Sequence, residues 1–245
     1  MCTVSWLINQ NGYHLFFNRD EQRSRSKALP PSHYETNNVT ALMPLDPDGD
    51  GSWISVNEWG FSLCLLNFYQ GDIPRGPLSS RGHLLKSLSY LNTISAFTTE
   101  IECLNLNCYA PFTILAFERS FDGADIKRYQ WDGKKLLTLN VSSPLTSSSV
   151  EFEKVSATRI NRYTSSTSMN TAQQHIEYHQ GHHPTKGHQS VCMHRRDAKT
   201  VSFSHILVTN EYASFDYQNG SPCLLMSHTE QENAHNIKVA LRSTH

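Results

Sequence analysis

The chain has 245 residues, enough for one large domain or two small ones, and its 38% hydrophobic content suits a packed core. Against 22 acidic residues stand 21 basic ones, for a formal net charge of -1. Such a balance argues against a nucleic-acid partner, which needs a clustered basic face, and against a polybasic membrane anchor.

The segment from Met1 to Phe17 lacks a basic first region and is interrupted by Asn9, Gln10 and Asn11, so it does not read as a secretory signal. No apolar run reaches the roughly 20 residues that span a bilayer, so membrane insertion is not expected. The six cysteines (Cys2, Cys64, Cys103, Cys108, Cys192 and Cys223) are irregularly spaced and read as reduced thiols of a cytoplasmic protein. Thr3 to Ile8 is rich in β-branched and aromatic residues and predicts a strand. Asn11-Gly12 marks a hairpin, and Tyr13 to Phe17 predicts the returning strand, ending in Asn18-Arg19-Asp20-Glu21. The polar stretch with Pro30 and Pro31 predicts a loop.

Trp53 to Val56 and Phe61 to Phe68 predict a second strand pair around an Asn57-Glu58-Trp59-Gly60 turn, the later strand apolar on both faces. Leu84, Leu85, Leu88 and Leu91 have helix spacing within Arg81 to Leu91, and Ile94 to Ile101 predicts a second short helix. Phe112 to Phe117, Ile126 to Trp131 and Leu136 to Leu139 predict a meander turned by Asp122-Gly123 and Asp132-Gly133. Helices are expected at about Phe152 to Tyr163 and Met169 to Tyr178, then strands at Thr200 to Val208 and around Phe215 and Leu224. Two batches of strands with helices between them predict an α+β fold with antiparallel sheets, in a single domain over residues 1–245.

Cys2 carries the chemistry. Loss of Met1 would leave a thiol and an α-amine on one residue, and an amine with a reference pKa of about 7.7–8.0 can act as base for its own side chain. Hairpin strands lie roughly 4.8 Å apart, so the end of the second strand returns beside Cys2. Arg19 would then lower the thiol pKa, and Asp20 or Glu21 would orient the amine. An exposed charged turn is the ordinary alternative for these three residues.

MCTVSWL followed by GYHLFFNRDEQRSR resembles the start of the NRDE family, which is related to Transport and Golgi organisation protein 2. It is also similar to the choloylglycine hydrolase and penicillin V acylase group of N-terminal nucleophile hydrolases, with Gly12, His14, Leu15 and Phe16 fitting that pattern. Gly51-Ser52-Trp53 matches the NRDE-family pattern, while Asn57-Glu58 with Gly60 and Leu66-Asn67-Phe68 match the hydrolases. The resemblance implies a four-layer αββα sandwich with Cys2 as nucleophile, Arg19 and Asp20 beside it, and Asn67 as oxyanion donor. Glu21 competes with Asp20 for the carboxylate role. Asn57 is a candidate binding residue. Ser147 stands where the hydrolases carry a further asparagine, and their late arginine falls on Arg195 or Arg196.

Two other signals compete. Asp46 to Gly51, DPDGDG, imitates an EF-hand start but has Asn57 where the terminal glutamate belongs, and reads better as an acidic turn. His175 and His179, at i and i+4, could face one metal, and a residue of the histidine segment from His175 to His194 could ligate haem. No metal ligand set is assigned and no cofactor is expected. The leading expectation is an amidohydrolase acting on a small-molecule, non-peptide amide. The alternatives are a non-catalytic binding or trafficking protein taking a haem-like ligand, and a scaffold. Neither substrate identity nor oligomeric state is written in the sequence.

Overall fold

Alternation along the first hairpin decides the layering. In β1 (Cys2–Asn9) and β2 (Gly12–Gln22), Val4, Trp6, Tyr13, Leu15 and Phe17 enter one apolar cluster, while their neighbours in sequence face the opposite way. The computed structural model describes residues 1–165, 169–224 and 234–242. The remaining strands are β3 (Leu29–Thr36), β4 (Val39–Leu45), β5 (Ile54–Asn57), β6 (Ser62–Asn67), β7 (Phe112–Ser120), β8 (Gly123–Trp131), β9 (Leu136–Leu139), β10 (Leu145–Ser147), β11 (Ala198–Val208), β12 (Tyr212–Asn219) and β13 (Ala234–Ala240). They form two antiparallel sheets, ordered β10-β1-β2-β11-β12-β13 and β3-β4-β5-β6-β7-β8-β9.

The sheets pack face to face through Val4, Trp6, Leu15 and Phe17 of the first and Leu42, Ile54, Val56, Leu66, Leu115 and Phe117 of the second. Helices α1 (Arg81–Leu88) and α2 (Ile94–Cys103) cover the outer face of the second sheet, where Leu84, Leu85, Leu88, Phe97 and Ile101 meet Leu63, Leu65, Ile114 and Ala116. Each such side chain, fully buried, contributes about 1.5–3 kcal/mol. Helices α3 (Phe152–Thr164) and α4 (Ala172–Gln180) cover the outer face of the first sheet. The order is therefore helix, sheet, sheet, helix: an α+β, four-layer αββα sandwich, as expected.

Four local expectations are corrected. The hairpin turns at Gln10-Asn11, and Gly12 already belongs to β2, with φ +138° and the Val208 carbonyl where a Cβ would lie. Asn18 to Glu21 is strand, not turn, because β11 pairs along the other edge of β2 as far as Gln22. Pro30 and Pro31 lie in β3, an edge strand with a register irregularity between Leu29 and Ser32, where missing N–H donors are tolerated. Leu224 ends a short 3-10 turn, Pro222–Leu224, not a strand. Among the described residues, no helix is long and apolar enough to cross a membrane.

Candidate functional site

Cys2 opens β1 with Arg19 opposite it on one side and Ser147 on the other. Its backbone N–H donates to Ser147 Oγ at 3.0 Å, and its carbonyl accepts from the Thr146 hydroxyl at 3.0 Å. Ahead of it, Met1 is only 8% exposed and packs against Val155, Met193 and Ala198. The Met1 α-amine donates to the Tyr69 hydroxyl at 3.3 Å and to the Asp20 carbonyl at 3.4 Å. Burial works against the charge of this amine, but Cys2, Tyr69 and Asp20 together hold its pKa above the ordinary value. Burial pushes the Cys2 thiol up; the amine opposes that rise and Asp20 adds to it.

A cleft of about 330 Å³ opens over Cys2, and Arg19, Glu21, Asp46, Trp53 and Asn67 contribute to its wall. Its far side is the start of α1, drawn in by a hydrogen bond from Ser52 N–H to the Gly82 carbonyl at 3.1 Å. Arg19 sits over Trp53, its Cζ 4.2 Å from the ring centroid, and pairs with Asp46 at 2.6 Å and Glu21 at 3.5 Å. Asp46 also takes Arg25 at 2.7 Å. The acidic turn thus serves as an anchor for two arginines, closed by the Asp46–Gly51 bridge.

Asp20 and Glu21 occupy opposite faces of β2, as strand alternation requires. Glu21 shares the cleft side with Arg19. Asp20 faces the helices, accepts from the Thr200 hydroxyl at 2.6 Å, and lies 3.8 Å from the guanidinium of Arg159. Burial pushes the Asp20 carboxyl above the usual carboxylate range, against the pull of Arg159, the α-amine and Thr200. Arg159 is 1% exposed and donates to the hydroxyls of Thr3 at 2.5 Å and Thr146 at 2.8 Å. Sequence reasoning missed it. The available signal was its place one helical turn after Val155, where the stripe facing the sheet should be apolar.

Asn67, at the end of β6, donates through Nδ2 to the Tyr69 hydroxyl at 3.0 Å, so Tyr69 links it to the chain terminus. Tyr69 was also missed, since a lone tyrosine after a strand carries no pattern. Asn57 is corrected as a binding candidate. Its Nδ2 donates to the carbonyls of Ser89 and Leu91, and its Oδ1 accepts from Trp59 and Phe61, so the amide ties the β5–β6 turn to the end of α1. Arg195 forms a two-pronged pair with Asp197 and approaches the Met1 sulfur at 3.5 Å, while Arg196 is exposed; neither lines the cleft.

The histidine segment divides in two. His175 Nδ1 and His179 Nε2 converge on the Ser5 hydroxyl, at 2.8 and 3.0 Å, against Phe16. His182 and His194 instead gather with Cys192 and Cys223, their ligand atoms all within 4.8 Å of one another.

The pattern of the Transport and Golgi organisation 2 family matches residues 1–213. The chain belongs to that family. Among solved structures it is similar to the N-acylethanolamine-hydrolyzing acid amidase ortholog of Caenorhabditis elegans, with a TM-score of 0.52 at 10% identity, covering 98% of this chain and 100% of that one. It is also similar to a mutant conjugated bile acid hydrolase from Clostridium perfringens (TM-score 0.48, 11% identity, 100% and 97% of the two chains). A third similar structure is penicillin V acylase from Agrobacterium tumefaciens (TM-score 0.46, 9% identity, 89% and 83%). No curated protein sequence matches the chain. The likeness to the nematode protein shows a shared fold, the layered sandwich of two antiparallel sheets between helices, and at that identity it shows the fold alone.

Proposed function

We propose that this family member hydrolyses a small, non-peptide C–N amide, with Cys2 as nucleophile once Met1 has been removed. One observation carries the reading: Cys2 and the Asn67 amide line the same cleft, and the Cys2 nitrogen already rests on a hydroxyl, Ser147 Oγ, at 3.0 Å. Removal of Met1 turns that nitrogen into an α-amine held in place beside its own thiol. The amine takes the thiol proton as Cys2 Sγ attacks the carbonyl, forming the C–S bond. The Asn67 side chain has two N–H donors and spends one on Tyr69, leaving one for the oxyanion, a contact typically worth about 3–4 kcal/mol. Collapse breaks the C–N bond, and the proton passes from the amine to the leaving nitrogen. Water then attacks the thioester, releasing a carboxylic acid and restoring the thiol.

Arg19 supplies positive charge opposite Cys2, with Asp46 and Glu21 fixing its position. Asp20 acts from behind: its backbone meets Met1 in the unprocessed chain, and its charge opposes loss of the Cys2 proton until the thiol is engaged. A cleft of about 330 Å³ suits a small acyl substrate, not a folded protein. Hydrolysis of an acylated amine is the class of reaction printed in the name of the nematode structural relative.

The test is intact-mass spectrometry before and after exposure to a thiol-reactive amide analogue. The expected result is a chain lacking Met1 that gains one acyl adduct on Cys2, and none in Cys2→Ala. Full turnover by Cys2→Ala on every amide the wild type hydrolyses would overturn the reading.

A second reading, a non-catalytic binding protein for a haem-like ligand, is favoured by one specific observation: Met1 is packed into its own apolar cluster. That reading expects Met1 to be retained, no adduct, and saturable haem binding in a spectroscopic titration.

A further inference from the structure

After α4 the chain folds back before entering β11. The Cys192 N–H donates to the Gly181 carbonyl at 3.0 Å and the His194 N–H to the Gly187 carbonyl at 3.2 Å, which closes the loop on itself. Its returning limb is fastened to β11, with Met193 N–H on Thr200 Oγ at 2.8 Å and Thr200 N–H on the Met193 carbonyl at 2.8 Å. A further segment arrives from beyond β12. It is the 3-10 turn carrying Cys223, tied down by the Ser221 hydroxyl on the Thr200 carbonyl at 2.7 Å. Backbone and hydroxyl hydrogen bonds therefore bring His182, Cys192, His194 and Cys223 together from three places in the chain.

Their spacing is that of a coordination shell. His194 Nε2 lies 3.5 Å from Cys192 Sγ and 3.4 Å from Cys223 Sγ. Around a tetrahedral zinc, with Zn–S about 2.3 Å and Zn–N about 2.0–2.1 Å, a sulfur and a nitrogen ligand stand about 3.6 Å apart. The rings of His182 and His194 cross at 69° with centroids 5.2 Å apart, so an edge of one meets a face of the other instead of stacking. His182 Nε2 is shut off from solvent and has no hydrogen-bond partner among the described residues. Leaving a buried polar atom unsatisfied is costly, and a metal bond would offset that cost.

We propose that His182, Cys192, His194 and Cys223 form a closed, four-ligand site for a zinc-class divalent cation. Two thiolates and two imidazoles select a borderline-soft ion such as Zn²⁺ over Mg²⁺ or Ca²⁺, which take oxygen ligands. Four protein ligands leave no open position, so the ion is structural. Its place explains what it would do. Thr200, held by the same loop, donates to Asp20, and Met193 packs on Met1. The ion braces the wall behind the chain terminus, and this holds whether or not Cys2 is a nucleophile.

The test uses the full chain, purified under reducing conditions, loaded with Zn²⁺ or Co²⁺ and passed through a weak chelator. One zinc per chain by elemental mass spectrometry is expected. The Co²⁺ form should show intense tetrahedral d–d bands and sulfur-to-cobalt charge transfer. Cys223→Ser and His182→Asn, both at half-buried positions, should each weaken Zn²⁺ binding by at least the roughly 10–100-fold that loss of an outer-shell partner costs. Cys103→Ser, at an exposed cysteine, should bind as wild type. The wild-type cobalt spectrum decides the matter even if a variant fails to fold. Zinc well below one per chain, an octahedral cobalt spectrum, unchanged affinity in a folded Cys223→Ser, or a Cys192–Cys223 disulfide that resists reductant would each overturn the proposal.

Discussion

Ser147 stands where the resemblance to the hydrolases expects an asparagine, yet its hydroxyl accepts from the Cys2 nitrogen at 3.0 Å. A hydroxyl both accepts and donates, so it can hold a free α-amine as well as a peptide N–H. Ser147→Ala is expected to slow acylation of Cys2 by about 10²-fold, the scale of a misplaced reacting group, while costing only about 0.5–1.5 kcal/mol of stability. Single-turnover acylation followed by mass, beside a urea titration, checks both halves. Asp20 and Arg159 make a different kind of pair, both shut away from solvent and 3.8 Å apart. Removing one member of a buried pair strands the other, at about 3–5 kcal/mol, whereas removing both is far cheaper. Arg159→Met should therefore lower the urea midpoint sharply, and Asp20→Asn combined with Arg159→Met should recover more than half of that loss. Additive single effects in the double-mutant cycle would show the pair to be uncoupled.

At the scale of elements, β2 decides what the site can be. Read as a hairpin end, Asn18 to Glu21 is a charged turn; paired on both edges, it is a central strand that sends Arg19 and Glu21 to the cleft and Asp20 to the helices. The first hairpin and the meander were legible from alternation and turn signals, and among the described helices α1 was legible from its leucine spacing. β3 was not, because its prolines mimic a loop, nor were its partner β4, β10, only three residues long, and the edge strand β13. The site divides the same way. Cys2 and Arg19 follow from counting back through a hairpin, but Tyr69, Asp46 and Arg159 reach it from separate elements that only the packed fold brings near. Gly51 shows how tight that packing is: a Cβ there would lie 2.4 Å from the Gly82 carbonyl carbon, which is backbone and cannot swing aside. Gly51→Ala should displace the start of α1, costing about 1–3 kcal/mol and weakening ligand binding in the cleft. Gly49→Ala meets the end of the flexible Arg25 side chain at 3.4 Å and the Ser80 hydroxyl at an ordinary 3.7 Å, and should stay within about 0.5 kcal/mol of wild type in the same thermal and binding assays.

Across the whole molecule, the seam between the first sheet and its helices is built from histidine as much as from apolar side chains. His14, His205, Phe16 and His175 stack in succession, His179 closes on Phe16 from α4, and Tyr163 of α3 meets His175 edge-on. Burial, reinforced by the mutual repulsion of these imidazoles, lowers His14 and His175 to about 4 and His179 well below 6.5, with Arg159 adding to the effect on His179. These bases stay neutral in the folded chain while the unfolded chain takes up protons from about pH 6.5 downward. The unfolded state then binds more protons, so stability falls as pH drops from about 6.5 toward 4, by up to about 1.4 kcal/mol per pH unit for each fully buried histidine. His14, only half-buried, contributes less. Asp20 works in the opposite sense: with its carboxyl raised above 3.8, the folded chain holds that proton longer, so its contribution shrinks as pH rises. His194, also held near 4, and Asp216, held below its usual value, act in the same direction as the three histidines. His175→Gln can keep a hydrogen bond to Ser5 without a titrating ring, so it should flatten the slope of urea midpoint against pH between 6.5 and 4.5. A variant slope as steep as wild type would place the acid sensitivity elsewhere.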